Sequence, residues 1–190
     1  MTLNSGMKQS INIPSSKSIP IEGPWDVRFP HGWGAPVLNT FDTLHSWTDS
    51  PIEGIQSFSG IATYRKDFSF NMSNINTNML VYLDLGEVRE IARVYLNGEE
   101  LGISSFAPHR FDVTNVVRDG VNYLVIEIAN TWLNRMIADD NLPNPQRLTH
   151  SNIANGPTSE TGWKDAQPKA SGLLGPVRLE SMQRMNIVIH

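Results

Sequence analysis

Ile91-Ala92-Arg93-Val94-Tyr95-Leu96-Asn97-Gly98-Glu99-Glu100-Leu101-Gly102-Ile103 is the stretch whose reading decides the fold. Ala92, Val94 and Leu96 alternate with Arg93 and Tyr95, and a period of two places the first three on one face of a strand. Asn97-Gly98 follows at once. Both residues accept the positive φ angles of a two-residue hairpin turn, so residues 99–103 are expected to return antiparallel to residues 91–96. Outward from this hairpin the same alternation recurs. Val81, Leu83 and Leu85 share a face within 79–85; Leu124, Ile126 and Ile128 follow the Asp119-Gly120 turn; Val177 and Leu179 open a late strand after Gly175-Pro176. Residues 60–69 and 21–29 read as two more strands. No stretch of ten or more residues keeps a helical period with caps, so the class is all-β. About eight short strands without an internal repeat favour a two-sheet antiparallel sandwich of the jelly-roll kind over a barrel or propeller.

The bulk properties narrow the function. The chain has 190 residues, enough for one sandwich that buries roughly 70% of its extended-chain surface. We expect an N-terminal extension over 1–20 and a single domain over 21–190. A formal net charge of −4 argues against nucleic acid, which draws affinity from clustered Lys and Arg. The absence of cysteine removes disulfides and thiolate metal sites and leaves the redox compartment open. No apolar run approaches the roughly 20 residues that span a bilayer, so no membrane partner is expected. Residues 1–10 lack the basic start and apolar middle of an export signal, which for an exported parent protein would lie upstream.

One stretch breaks the strand rhythm. Residues 131–171 are rich in Asn, Pro, Asp, Ser and Gly yet carry Trp132 and Trp163. A long loop with buried-type aromatics is expected to be ordered and functional. Residues 186–190 read as an apolar strand cut short.

Several phrases resemble the galactose-binding-like modules known as sugar-binding domains of glycoside hydrolases related to family 2, and most narrowly the module of bacterial α-L-rhamnosidases. They include Gly23-Pro24-Trp25-Asp26-Val27, Phe58-Ser59-Gly60-Ile61-Ala62-Thr63-Tyr64, Leu83-Asp84-Leu85-Gly86-Glu87-Val88, Leu96-Asn97-Gly98, Asp112-Val113-Thr114 and Gly120-Val121-Asn122. The narrower likeness rests on the run from Asn130-Thr131-Trp132 to Asp139 and on Ser171-Gly172-Leu173-Leu174-Gly175-Pro176-Val177. Ala138 departs from it, since similar sequences favour glycine there. The resemblance implies a non-catalytic carbohydrate-binding or accessory module of a larger α-L-rhamnosidase-like enzyme. Its partners would be an oligo- or polysaccharide and the catalytic domain of the same polypeptide, in a periplasmic, cell-surface or secreted bacterial setting. A purely structural domain that packs on a catalytic barrel is the alternative. A stand-alone lyase or hydrolase is a third.

Within that context, sugar recognition needs an aromatic face for the C–H side of a pyranose and fixed polar groups for its hydroxyls. Trp132, Asn134, Arg135 and Asp139 supply this chemistry in one span, with Trp163 and Trp33 as further platforms. The competing reading pairs Arg135 with Asp139 to hold the loop while Trp132 plugs the end of the sandwich. Trp25 and Trp47 are expected in the core; Trp33 lies in a loop, and ligand or interdomain contact fits it. His109 and Arg110 are expected as solvated surface. A structural Ca²⁺ is a possible cofactor, with Asp42, Asp49, Glu53 and Glu180 as candidate ligands. The five histidines show no zinc-like spacing. No pair of carboxylates announces glycoside hydrolysis, and the chain is too short for a (β/α)₈ barrel of roughly 250 residues.

Overall fold

The computed structural model describes residues 17–74, 78–150, 163 and 166–184. Residues 151–162, most of the far half of the loop segment, and the apolar tail 186–190 lie outside the described residues. Twelve strands and two short helices follow one another in the described part. They are β1 (Lys17–Pro20), β2 (Trp25–Arg28), β3 (Leu38–Phe41), α1 (Glu53–Gln56), β4 (Ile61–Phe70), β5 (Met79–Asp84), β6 (Glu87–Arg89), β7 (Ile91–Leu96), β8 (Glu99–Ser104), β9 (Arg110–Asp112), β10 (Gly120–Ala129), α2 (Leu133–Asp140), β11 (Gly172–Gly175) and β12 (Arg178–Gln183).

Every pairing is antiparallel. A six-stranded sheet runs β3-β2-β4-β10-β7-β8, a four-stranded sheet runs β1-β12-β5-β9, and β11 pairs with β6. The alternation that predicted the strands is what fills the interior. Ala92, Val94 and Leu96 of β7, Leu124, Ile126 and Ile128 of β10, and Val81 and Leu83 of β5 are all buried in one cluster. Asn97 adopts φ 54° and Gly98 φ 86°, so the hairpin turn is the one expected, with Leu96 facing Glu99 across it.

Some boundaries differ from the sequence reading. β1 lies inside the stretch assigned to an N-terminal extension, where Lys17 to Pro20 align with Ser181 to Arg178 as the sheet edge. The strand expected over 21–29 is regular only at β2. Ile21 instead donates its amide to the Val177 carbonyl at 2.8 Å, which continues the β1–β12 register by one residue. α2 stands where only irregular loop was expected.

Trp25 and Trp47 are fully buried, as predicted. Trp47 packs edge-on against Phe29 and Phe58, with centroids 5.8 and 5.3 Å away. Its indole donates to the Tyr64 hydroxyl at 2.6 Å, and that hydroxyl also receives the Leu173 amide at 3.2 Å. Burial pushes the Tyr64 phenol well above its ordinary value, so it stays a neutral connector of β4, β11 and Trp47. Gly172 is required here, because a Cβ would stand 2.5 Å from Trp47 Nε1 and its φ is +99°.

Candidate functional site

The site is built at the end of β10. Asn130 leaves that strand and is held by three contacts: its Oδ1 accepts from the Gly60 amide at 2.9 Å, and its Nδ2 donates to the Phe58 carbonyl at 2.9 Å and to Ser171 Oγ at 3.2 Å. Chain direction is thereby fixed just before Trp132, which precedes the first residue of α2.

α2 buries Asn134, Arg135, Ile137 and Asp139. Asn134 exchanges hydrogen bonds with the Lys169 backbone, donating to its carbonyl at 2.8 Å and accepting from its amide at 2.9 Å, and donates to Ser171 Oγ at 3.0 Å. Arg135 donates from Nη1 to Ser57 Oγ at 3.1 Å, and its backbone amide donates to Ser59 Oγ. Arg135 Nη2 stands 2.9 Å from Asp139 Oδ1, with the side chains only 5% and 4% exposed. That contact is not aligned as a hydrogen bond, so it acts as a buried ion pair. Asp139 Oδ2 accepts from the amide and hydroxyl of Thr149 at 2.7 and 2.5 Å. Burial opposes ionisation of Asp139, but the Thr149 hydroxyl and amide, the Leu148 amide and the Arg135 charge together hold its carboxyl below the ordinary value.

These polar contacts pull residues 148–150 back over α2 and leave a cleft on the outer side. The cleft encloses about 310 Å³ and is lined by Trp33, Trp132, Met136, Leu148, Thr149 and His150. Trp33 and Trp132, 99 residues apart in sequence, meet with ring centroids 5.3 Å apart and planes tilted by 55°. Trp132 remains 48% exposed, so it covers the cleft without plugging the sandwich.

Of the six sugar-contact candidates, the structure brings Trp33 and Trp132 together and turns Asn134, Arg135 and Asp139 inward, where their polar groups serve the protein. Trp163 is partly buried and is not among the residues lining the cleft. Leu148, Thr149 and His150 were not legible in the sequence, because their place depends on the Asp139–Thr149 contact, and Met136 was not because it is carried by α2. A larger cleft of about 580 Å³ lies between 20–23, 42–44 and 174–177. Its one tryptophan, Trp25, is 1% exposed and belongs to the core.

The calcium candidates do not assemble. Glu180 is committed to Arg110 at 2.8 Å and Arg178 at 2.9 Å, while Asp42, Asp49 and Glu53 are exposed. Among the described residues no three His, Asp or Glu side chains are grouped to hold a metal ion. His109 corrects its expectation of solvated surface: it is 5% exposed, with Nδ1 2.9 Å from Ser104 Oγ. Burial lowers its pKa, against the opposing charge of Asp84. Arg110 is half-buried over the Tyr82 ring, 4.8 Å from its centroid. Among the described residues no helix is long and apolar enough to cross a membrane.

The sandwich is shared with known proteins. Residues 56–178 match the glycosyl hydrolase 2 galactose-binding domain-like family. The chain belongs to this family. A rhamnosidase from Novosphingobium sp. PP1Y is 34% identical, superimposes with a TM-score of 0.78, and matches 92% of this chain over 16% of its own. A protein of Formosa agariphila provisionally named a β-glucuronidase is 37% identical over 86% of this chain and 16% of its own length. A β-glucuronidase from Ruminococcus gnavus, at 22% identity and a TM-score of 0.61 over 92% of this chain, shares the fold. The chain thus spans about a sixth of the first two relatives. It is a galactose-binding-like domain of the kind carried by glycoside hydrolases.

Proposed function

We propose that this domain is a non-catalytic accessory module of a larger α-L-rhamnosidase-like glycoside hydrolase and contacts the glycoside substrate at the Trp33–Trp132 cleft. The observation that carries the reading is the pairing of two partly exposed indoles from distant parts of the chain beside α2, because exposed aromatic faces are recurrent contact surfaces for ring-bearing ligands such as glycosides. The family and the rhamnosidase relative at 34% identity support the enzyme context. Among the described residues no pair at the cleft suits hydrolysis: their titratable lining is His150 alone, whereas glycoside cleavage needs two carboxyl groups across the bond.

A specific observation favours a second role, bracing another domain. Ile61, Ala129 and Ile91 are directly opposed across β4, β10 and β7 on the outward face of the six-stranded sheet, and Ile61 and Ile91 are 54% and 41% exposed. A contact with the catalytic remainder of the same polypeptide would cover this row.

The test uses the purified chain with aryl and methyl α-L-rhamnosides and β-D-glucuronides. The expected result is saturable binding by calorimetry, with Kd between about 1 mM and 1 μM, and no released aglycone. Release of aglycone by the chain alone would contradict the non-catalytic reading. Absence of binding by every glycoside at millimolar concentration would leave only the bracing role.

A further inference from the structure

The chemistry of the cleft departs from what a bare pyranose requires. A pyranose shows hydroxyls around its rim, and each one stripped of water needs a matched donor or acceptor. Asn134, Arg135 and Asp139, the side chains of the right type, face inward and are spent on Lys169, Ser57, Ser171 and Thr149. Among the described residues, the lining that remains is two indoles, a thioether and an isobutyl group, with Thr149 and His150. The Thr149 hydroxyl proton is already donated to Asp139. The surface that the described residues form is therefore suited to a flat apolar group and poorly supplied for a sugar.

We infer that the Trp33–Trp132 cleft receives the planar aromatic aglycone of an aryl glycoside, while the sugar ring lies outside it. The inference rests on the glycoside-contacting reading above and names which part of the ligand the domain reads. Size agrees with it. A dry apolar cavity of roughly 150 Å³ accommodates one benzene ring, so about 310 Å³ suits two fused rings. Shape agrees too: indole planes inclined at 55° form an open angle, which allows offset or edge-on contact with an inserted ring and not a sandwich. Met136 supplies a polarizable floor for aromatic contact. Leu148, 38% exposed, closes one side and is held there by the Thr149–Asp139 bonds.

The decisive comparison is calorimetric titration of the chain with four probes: the methyl and 2-naphthyl forms of α-L-rhamnoside and of β-D-glucuronide. The expected result is that each naphthyl glycoside binds at least tenfold tighter than its methyl counterpart, and that the two naphthyl glycosides lie within about threefold of each other. Trp132→Ala should remove the naphthyl preference. Leu148→Asp, a surface change that leaves the indoles in place, should reduce it as well. Equal affinity for methyl and naphthyl forms would overturn the inference while leaving the glycoside-contacting function standing. Binding by neither form would overturn both. A naphthyl preference that survives both substitutions in folded variants, checked by unchanged melting, would place aryl recognition elsewhere and also overturn it.

Discussion

The β7–β8 hairpin and α2 lie at opposite extremes of how this chain specifies structure. The hairpin is written locally: alternating Ala92, Val94 and Leu96, then an Asn-Gly turn, whose Asn97 reaches out to Val116, Asn122 and Tyr123. α2 is written at a distance. Its buried face carries Asn134, Arg135 and Asp139 beside Ile137, and these are satisfied by residues from 57–59, 149 and 169–171. The first region holds itself through burial of apolar surface, the second through a buried polar network. The difference matters for function, because the second region shapes the cleft.

The largest effect is expected in the apolar region. Trp47→Ala empties a fully buried site and leaves Tyr64 without its indole donor, and should cost about 3–5 kcal/mol in denaturant unfolding. A loss under 1 kcal/mol would mean that the sandwich core does not close around Trp47. Somewhat smaller in global stability, but decisive for the polar region, is Asp139→Ala. It strands the Arg135 charge in a buried setting, and about 3 kcal/mol is expected. The double change Arg135→Met with Asp139→Leu removes both charges and should recover most of that loss. If the double variant is as unstable as the single one, the ion pair does not organise α2.

This contrast explains what could be read from the sequence. The fold was legible at β4, β5, β7, β8, β10 and β12, because alternation and turn residues act over a few positions. β3, β6 and β11 were not recovered: they are three or four residues long, and β6 and β11 pair with each other from distant parts of the chain. α2 was read as loop for a physical reason. Its apolar spacing, Leu133, Met136 and Ile137, lasts little more than one turn, no side chain caps its start, and much of its buried face is polar. The candidate site was legible only in part. Trp33 and Trp132 could be singled out as aromatics in loop-like sequence, but their 5.3 Å meeting could not. Asn134, Arg135 and Asp139 were recognised as concentrated polar chemistry, and nothing local distinguishes ligand contact from internal support.

Acidification sharpens the comparison further. His109 has a lowered pKa, so its contribution is fully present above the unfolded value of 6.5 and is lost as pH falls toward the native one. Asp139 has a lowered pKa as well; its contribution is present above 3.8 and is lost as pH falls through its native value. Melting temperature should therefore decline in two stages, and His109→Gln should flatten only the stage nearer neutrality. The smallest effect on stability is expected for Trp132→Ala, within about 1 kcal/mol, since half of the ring is already in water. A much larger loss would make Trp132 a core residue and not a binding surface.

The account rests on glycoside contact at the α2 end of the sandwich, and ¹H–¹⁵N mapping of a naphthyl glycoside titration tests this most directly. The predicted result is that the indole N–H resonances of Trp33 and Trp132 and the backbone amides of 148–150 shift together with one saturation curve. Shifts confined to the cleft formed by 20–23, 42–44 and 174–177, or to the outward Ile61–Ala129–Ile91 row, would contradict it.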